Sequence, residues 1–199
     1  MPDRTLNSGI RVYHAILNRF VSGSGGLTRS LNDILTVQSH DRGDSWASTR
    51  RFARKTGGKY FSSTPEGVIA ECEARIRSAG IRGLSPADLQ PVAIFEVAIK
   101  STPTVLSVAM ARDDDACRVD FLTRYQVAPS DTLDVADRNK SVLASHAVSN
   151  QLDLAMYAGI EYPSVRLATA TNYVLHTPGD HVDFAQSSAN PVRTHTPVI

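Results

Sequence analysis

The stretch GIEYPSVRLA, residues Gly159–Ala168, decides how this chain is read. Its first half suits a strand entering a core. Pro163 then fixes the backbone and removes a ladder donor, and Ser164 breaks the alternation that plain β-structure would show. Such a sequence is either an edge-strand defect or a rigid turn that holds a hydroxyl toward something. The rest of the chain has to decide between the two.

At 199 residues the chain is long enough for one domain with a sizeable core and short for two. Apolar residues make up 42% and charged residues 21%, which is ordinary for a globular protein. Lys and Arg number 21 against 20 Asp and Glu, so no bulk field draws the chain to nucleic acid or to a membrane surface. The two cysteines, Cys72 and Cys117, make no disulfide framework and have no metal-ligand spacing. The N-terminal residues show no apolar run of a secretory leader, and no window reaches the roughly 20 apolar residues of a membrane span. A soluble protein of a reducing compartment is expected, either cytoplasmic or delivered into a target-cell cytoplasm without a cleavable signal.

Working outward from the quoted stretch, TNYVLHT reads as a last strand, and KSVLASHAVSNQLDLAMYAG before it reads as a helix. GIRVYHAIL gives a first strand and KYFSS a short one, and a buried strand covers Val92 to Ile99. LTRSLNDILTV can be helical. The clearest helix is TPEGVIAECEARIRSAG, with Thr64 as N-cap, Pro65 in the first turn and Gly80 to close it. Val68, Ile69, Cys72 and Ile76 form its apolar stripe, on which a buried, inert Cys72 is expected. Residues 38–49 form a polar segment without period. The expected organisation is an N-terminal extension (1–8), one α+β domain (9–177) and an irregular C-terminal tail (178–199).

Familiar chemical motifs are absent: no G-x-S-x-G, H-E-x-x-H, Walker A or G-x-G-x-x-G stands in the chain. The glycines of VSGSGGLTRS lack the Lys-Ser/Thr of a P-loop. RDDDACR reads as a solvated turn, since consecutive aspartates point different ways. HTPGDHVDF brings His176, Asp180, His181 and Asp183 close in sequence, as a loop rather than a metal site. Arg50, Arg51, Arg54, Lys55 and Lys59 precede or flank Tyr60 and Phe61. That patch is too narrow for nucleic acid but suits a small anionic ligand with an aromatic part. Glu71 follows eleven residues after Tyr60, off the apolar stripe, and helical phase alone does not choose between it and Glu73.

These pieces resemble the RES domain, a family named for an arginine, a glutamate and a serine. The resemblance is carried by RVYH at Arg11, RRFARKTGGKYFSS over Arg50–Ser63, VIAECEA around Glu71 and GIEYPSVR over Gly159–Arg166. Two arginines match the family's arginine: Arg51 has the aromatic neighbour Phe52, and Arg50 gives the longer spacing to Tyr60. Arg54 is a more distant third. Ala53 stands where the family has asparagine. With the resemblance, the Pro163–Ser164 turn reads as a hydroxyl held toward a pocket.

The resemblance implies an ADP-ribosyltransferase-like fold with a split or curved β-sheet and flanking helices. It implies a toxin that destroys NAD+ by cleaving the nicotinamide–ribose bond, with water or phosphate as acceptor. A mono-ADP-ribosyltransferase acting on a protein and a non-catalytic nucleotide-binding module are the alternatives. The implied catalytic set is Arg51, Tyr60, Glu71 and Ser164, with Arg51, Tyr60, Ser164 and Arg11 holding NAD+ as substrate. No metal is required, because the leaving group already carries positive charge. A neutralising antitoxin or immunity protein is the implied partner.

Overall fold

The computed structural model describes residues 3–21, 27–36, 57–80, 91–127, 147–184 and 190–198. Its centre is the antiparallel pair of β2 (Arg11–Leu17) and β4 (Val92–Ile99), in register from Arg11 opposite Ala98 to Leu17 opposite Val92. β4 reads VAIFEVAI and is buried along nearly its whole length, as a strand covered on both faces must be. The single charge in that run, Glu96, is therefore conspicuous.

The other strands add to this pair on both sides. β3 (Lys59–Ser62) joins β2, β7 (Thr171–Leu175) joins β3, and β6 (Gly159–Pro163) joins β7, all antiparallel. β5 (Thr104–Ser107) runs parallel to β6, and β1 (Asp3–Thr5) closes that edge. At the other edge β8 (Val182–Phe184) and β9 (Arg193–His195) pair with successive parts of β4. Among the described residues this makes one nine-stranded mixed sheet. A parallel pair needs a long crossover, and α3 (Val108–Asp113), α4 (Asp115–Arg124) and α5 (147–151) lie within it.

Phe121 and Tyr125 from α4 pack with Tyr157, Ile160, Tyr162 and Val174 on one face of the sheet. On the opposite face α1 (Leu31–Leu35) adds Leu31 and Leu35 to a core of Val12, Ile16, Phe61, Phe95, Val97 and Tyr173. The α+β single domain with a large sheet and flanking helices is thus as expected.

Several local expectations need correction. The tail from Pro178 is not irregular: it forms α6 (Pro178–His181), β8 and β9. These strands are three residues long, too short for alternation to reveal, and they form because the edge of β4 offers unpaired backbone groups. The N-terminal extension also joins the sheet as β1, where Asp3 accepts a 2.6 Å hydrogen bond from the Tyr157 hydroxyl. The helix read through residue 159 stops at 151, because Asp153 builds a turn by accepting from the N–H of Ala155 and of Tyr157. In the aspartate cluster, Asp114 caps α4 through the N–H of Cys117 at 2.7 Å. That hydrogen bond lowers the pKa of the Asp114 carboxyl. The polar segment 38–49, with Arg50, Arg51, Arg54 and Lys55, lies outside the described residues.

Candidate active site

The site is built on one rung of the sheet. Tyr13 stands opposite both Glu96 and Ser62, Ser62 opposite Asn172, and Asn172 opposite Tyr162. Residues in register point to the same face, so this row carries polar groups across β4, β2, β3, β7 and β6.

Helix α2 (Pro65–Gly80) lies over the row. Thr64 caps it by accepting from the N–H of Gly67 at 3.0 Å. Gly67 is where the helix touches the sheet: a Cβ there would collide with the Ser62 hydroxyl and stand 2.9 Å from the Ala170 Cβ. Only glycine permits that approach. Glu71 is one turn further along, at i+4 from Gly67, and so shares its face. Between Pro65 and Ala74 the buried residues of the helix are Gly67, Val68 and Ala74, while Cys72 is only half-buried. The contact face thus runs along Gly67, Val68 and Ala74 and is rotated from the apolar stripe, on which Cys72 was expected in the core and Glu71 was not.

Glu71 Oε1 accepts two hydrogen bonds, from the Asn172 amide at 2.8 Å and from the Ser164 hydroxyl at 3.2 Å. The three residues come from α2, from β7 and from the turn after β6. Ser164 is 5% exposed, and its hydroxyl oxygen also accepts from the N–H groups of Arg166 and Leu167, each at 3.2 Å. Its own N–H donates to Ala170 O at 2.9 Å, closing the β6–β7 connection. Ser164 is thus a turn residue whose hydroxyl proton goes to Glu71. Glu73 points elsewhere and meets His195 Nε2 on β9 at 3.1 Å. The choice between the two glutamates, open in the sequence, is settled as to which of them meets Ser164.

Tyr60 is half-buried on the face of Ser62, opposite Val174, and packs against the aromatic cluster of α4. Its backbone carbonyl accepts from His14 Nδ1 at 2.7 Å. Arg11 has a mostly exposed side chain whose guanidinium contacts Glu96 Oε1 at 3.0 Å, not Glu71. The Tyr13 hydroxyl donates to Glu96 Oε2 at 2.8 Å. Burial, and then that carboxylate, raise the Tyr13 pKa and keep the phenol protonated. Of the expected residues, Glu71 and Ser164 come together, Tyr60 shares their face of the sheet, Arg11 belongs to the Glu96 group, and Arg51 lies outside the described residues. Sequence reading missed Asn172, Tyr13 and Glu96. A charge inside VAIFEVAI and an amide inside TNYVL were the available signals.

The histidines of HTPGDHVDF have separate partners. Buried His176 donates from Nδ1 to Gly57 O at 2.6 Å, and His181 Nδ1 lies 3.0 Å from the Ser101 hydroxyl. Among the described residues no group of three or more His, Cys, Asp or Glu could hold a metal ion. Nor is any helix there long and apolar enough to cross a membrane.

A family model described as RES domain matches residues 36–197. A solved structure described as the crystal structure of the M. tuberculosis MbcT-MbcA toxin-antitoxin complex is similar to this chain at 10% identity and a TM-score of 0.42. The match covers 96% of this chain and 86% of that one. No curated protein matches the chain.

Proposed function

The chain belongs to the RES domain family, and from that premise we propose that it is a toxin that cleaves the nicotinamide–ribose bond of NAD+, with Glu71 as its catalytic carboxylate. The observation that carries this reading is the convergence of Ser164 and Asn172 on Glu71 Oε1 beneath a helix that only Gly67 allows so close. A carboxylate held this way suits a catalytic role, which needs its oxygens fixed in place.

In NAD+ the nicotinamide is a cationic leaving group. When the C1′–N bond breaks, its electron pair neutralises the pyridinium ring and positive charge develops on the ribose. A carboxylate fixed beside that ribose stabilises the charge and orients the incoming oxygen. With water, a C1′–O bond forms and one proton leaves, through Glu71 or solvent, to give ADP-ribose. With phosphate, one of its oxygens forms the bond and the product is a phosphorylated ADP-ribose.

In this reading Ser164 acts through Glu71, since its hydrogen-bonding capacity is taken up by the carboxylate and its own turn. Tyr60 offers a ring face for the substrate, and Arg51 pairs with the pyrophosphate. Arg11 reaches the substrate only by exchanging its contact with Glu96. An enzyme of this kind consumes a cofactor in the cytoplasm where it acts. A neutralising protein that blocks the pocket is the partner we propose.

The test is to incubate purified protein with NAD+, with and without phosphate, and to follow free nicotinamide and the ADP-ribose product. Nicotinamide release without a protein acceptor supports the reading, and phosphate dependence names the acceptor. No release in either buffer, with label from NAD+ appearing on a protein after lysate is added, replaces it with ADP-ribosyl transfer.

A further inference from the structure

Asn172 occupies the middle of the otherwise largely apolar strand TNYVL and is 2% exposed. A buried amide in a strand interior is unfavourable unless its hydrogen bonds are met. Here they are met on one side only. Nδ2 donates to Glu71, while Oδ1 is buried and has no hydrogen-bond partner among the described residues. The orientation of the amide is dictated by the carboxylate, because only the NH₂ end can donate to a carboxylate oxygen. Leucine or valine would pack at this position without an orphaned acceptor. A residue kept at such a cost marks a functional constraint.

That constraint is visible at Glu71. The terminal torsion of a glutamate is soft, so a carboxylate held by a single bond rotates freely. Two donors from two different elements, β7 and the β6–β7 turn, meet the same oxygen. The rotation is then fixed, and Oε2 is the oxygen whose lone pairs Asn172 and Ser164 leave for another group.

We propose that Asn172 is a positioning residue that, together with Ser164, anchors Oε1 of Glu71 so that Oε2 faces the developing charge on the ribose. This rests on Glu71 being the carboxylate of NAD+ cleavage. Asn172 touches no substrate atom and acts through the glutamate. Removing it lowers kcat and leaves KM nearly unchanged.

The test compares wild type with Asn172→Leu, which keeps the branched shape and removes the donor. Asn172→Ala, which removes the donor without adding a charge beside Glu71, serves if the leucine variant does not fold. Nicotinamide release from NAD+ gives kcat and KM. Denaturant unfolding of wild type, Asn172→Leu, Glu71→Leu, which removes the acceptor, and the double variant gives the coupling between the two residues.

The expected result is a kcat about 10- to 100-fold lower with KM within about threefold. The double variant should show a coupling of about fivefold or more in the unfolding equilibrium. Wild-type kcat in a folded Asn172→Leu overturns the inference while wild-type turnover upholds the reading of Glu71. If wild type itself releases no nicotinamide, that reading falls. The unfolding coupling then decides alone whether Asn172 holds Glu71, and a coupling within twofold overturns it.

Discussion

Replacing Ser164 with alanine separates two roles for this hydroxyl, one facing a ligand and one holding the glutamate. The hydroxyl makes three bonds, one donated to Glu71 and two accepted from the backbone N–H of Arg166 and Leu167. Each such bond contributes about 0.5–1.5 kcal/mol net, and a length of 3.2 Å places all three toward the weak end. Arg166 is exposed, so its N–H regains water in the variant, whereas Ser164 itself is 5% exposed. The expected loss is about 2 kcal/mol. For a chain of this size that lowers Tm by roughly 4–8 °C. Glu71 keeps its bond from Asn172 but loses its second anchor. In NAD+ turnover kcat therefore falls about tenfold, a loss of about 1.4 kcal/mol in transition-state stabilisation, and KM stays within about threefold. Melting curves and steady-state nicotinamide release on the same preparation check both. An unchanged Tm together with a raised KM would show that the hydroxyl faces the ligand, and would refute the role given to it here.

Gly67→Ala places a methyl group against the Ser62 hydroxyl and the Ala170 side chain, so α2 must lift. A loss of about 1–3 kcal/mol in denaturant unfolding is expected, with activity reduced because Glu71 moves with the helix; a variant as stable and active as wild type contradicts the close approach. His176 and His181 are both held below their usual pKa of 6.5, mainly by burial. As pH falls through 6.5 the unfolded chain takes up protons at these positions and the folded chain does not, so stability is retained above that pH and declines below it. Tm measured from pH 7.5 to 5.5 should be flat at first and then fall, less steeply in His176→Gln, and a flat curve throughout contradicts the burial argument.

The sheet was legible where its strands are long. GIRVYHAIL and PVAIFEVAI announce themselves by burial pattern, and they became the central pair. The start of α2 was legible, because Thr64 and Pro65 act through local geometry that a sequence displays directly. Its contact face was not legible. Hydrophobic periodicity weights large side chains, whereas this helix meets the sheet at Gly67, so Glu71, one turn on, lies off the apolar stripe and periodicity alone does not single it out. β1, β8 and β9 could not be read because a three-residue segment makes a strand only when an open edge is already present. In GIEYPSVR the turn chemistry of Pro163 and Ser164 was visible. The close approach of Gly159 to the Val174 backbone, which leaves no room for a Cβ, needed the fold. Asn172 was hidden for the same reason: its partner lies 101 positions away in the chain.

The central claim is that Glu71, and not its neighbour Glu73, performs the chemistry. Glu71→Gln keeps the size of the side chain and an oxygen able to accept from Ser164 and Asn172, but removes the charge. Nicotinamide release from NAD+ should be measured side by side for wild type, Glu71→Gln and Glu73→Gln, all with cooperative melting transitions. The account predicts a loss of about 10²–10³ in kcat for Glu71→Gln and little change for Glu73→Gln, whose side chain meets His195 instead. Wild-type turnover in a folded Glu71→Gln would contradict it.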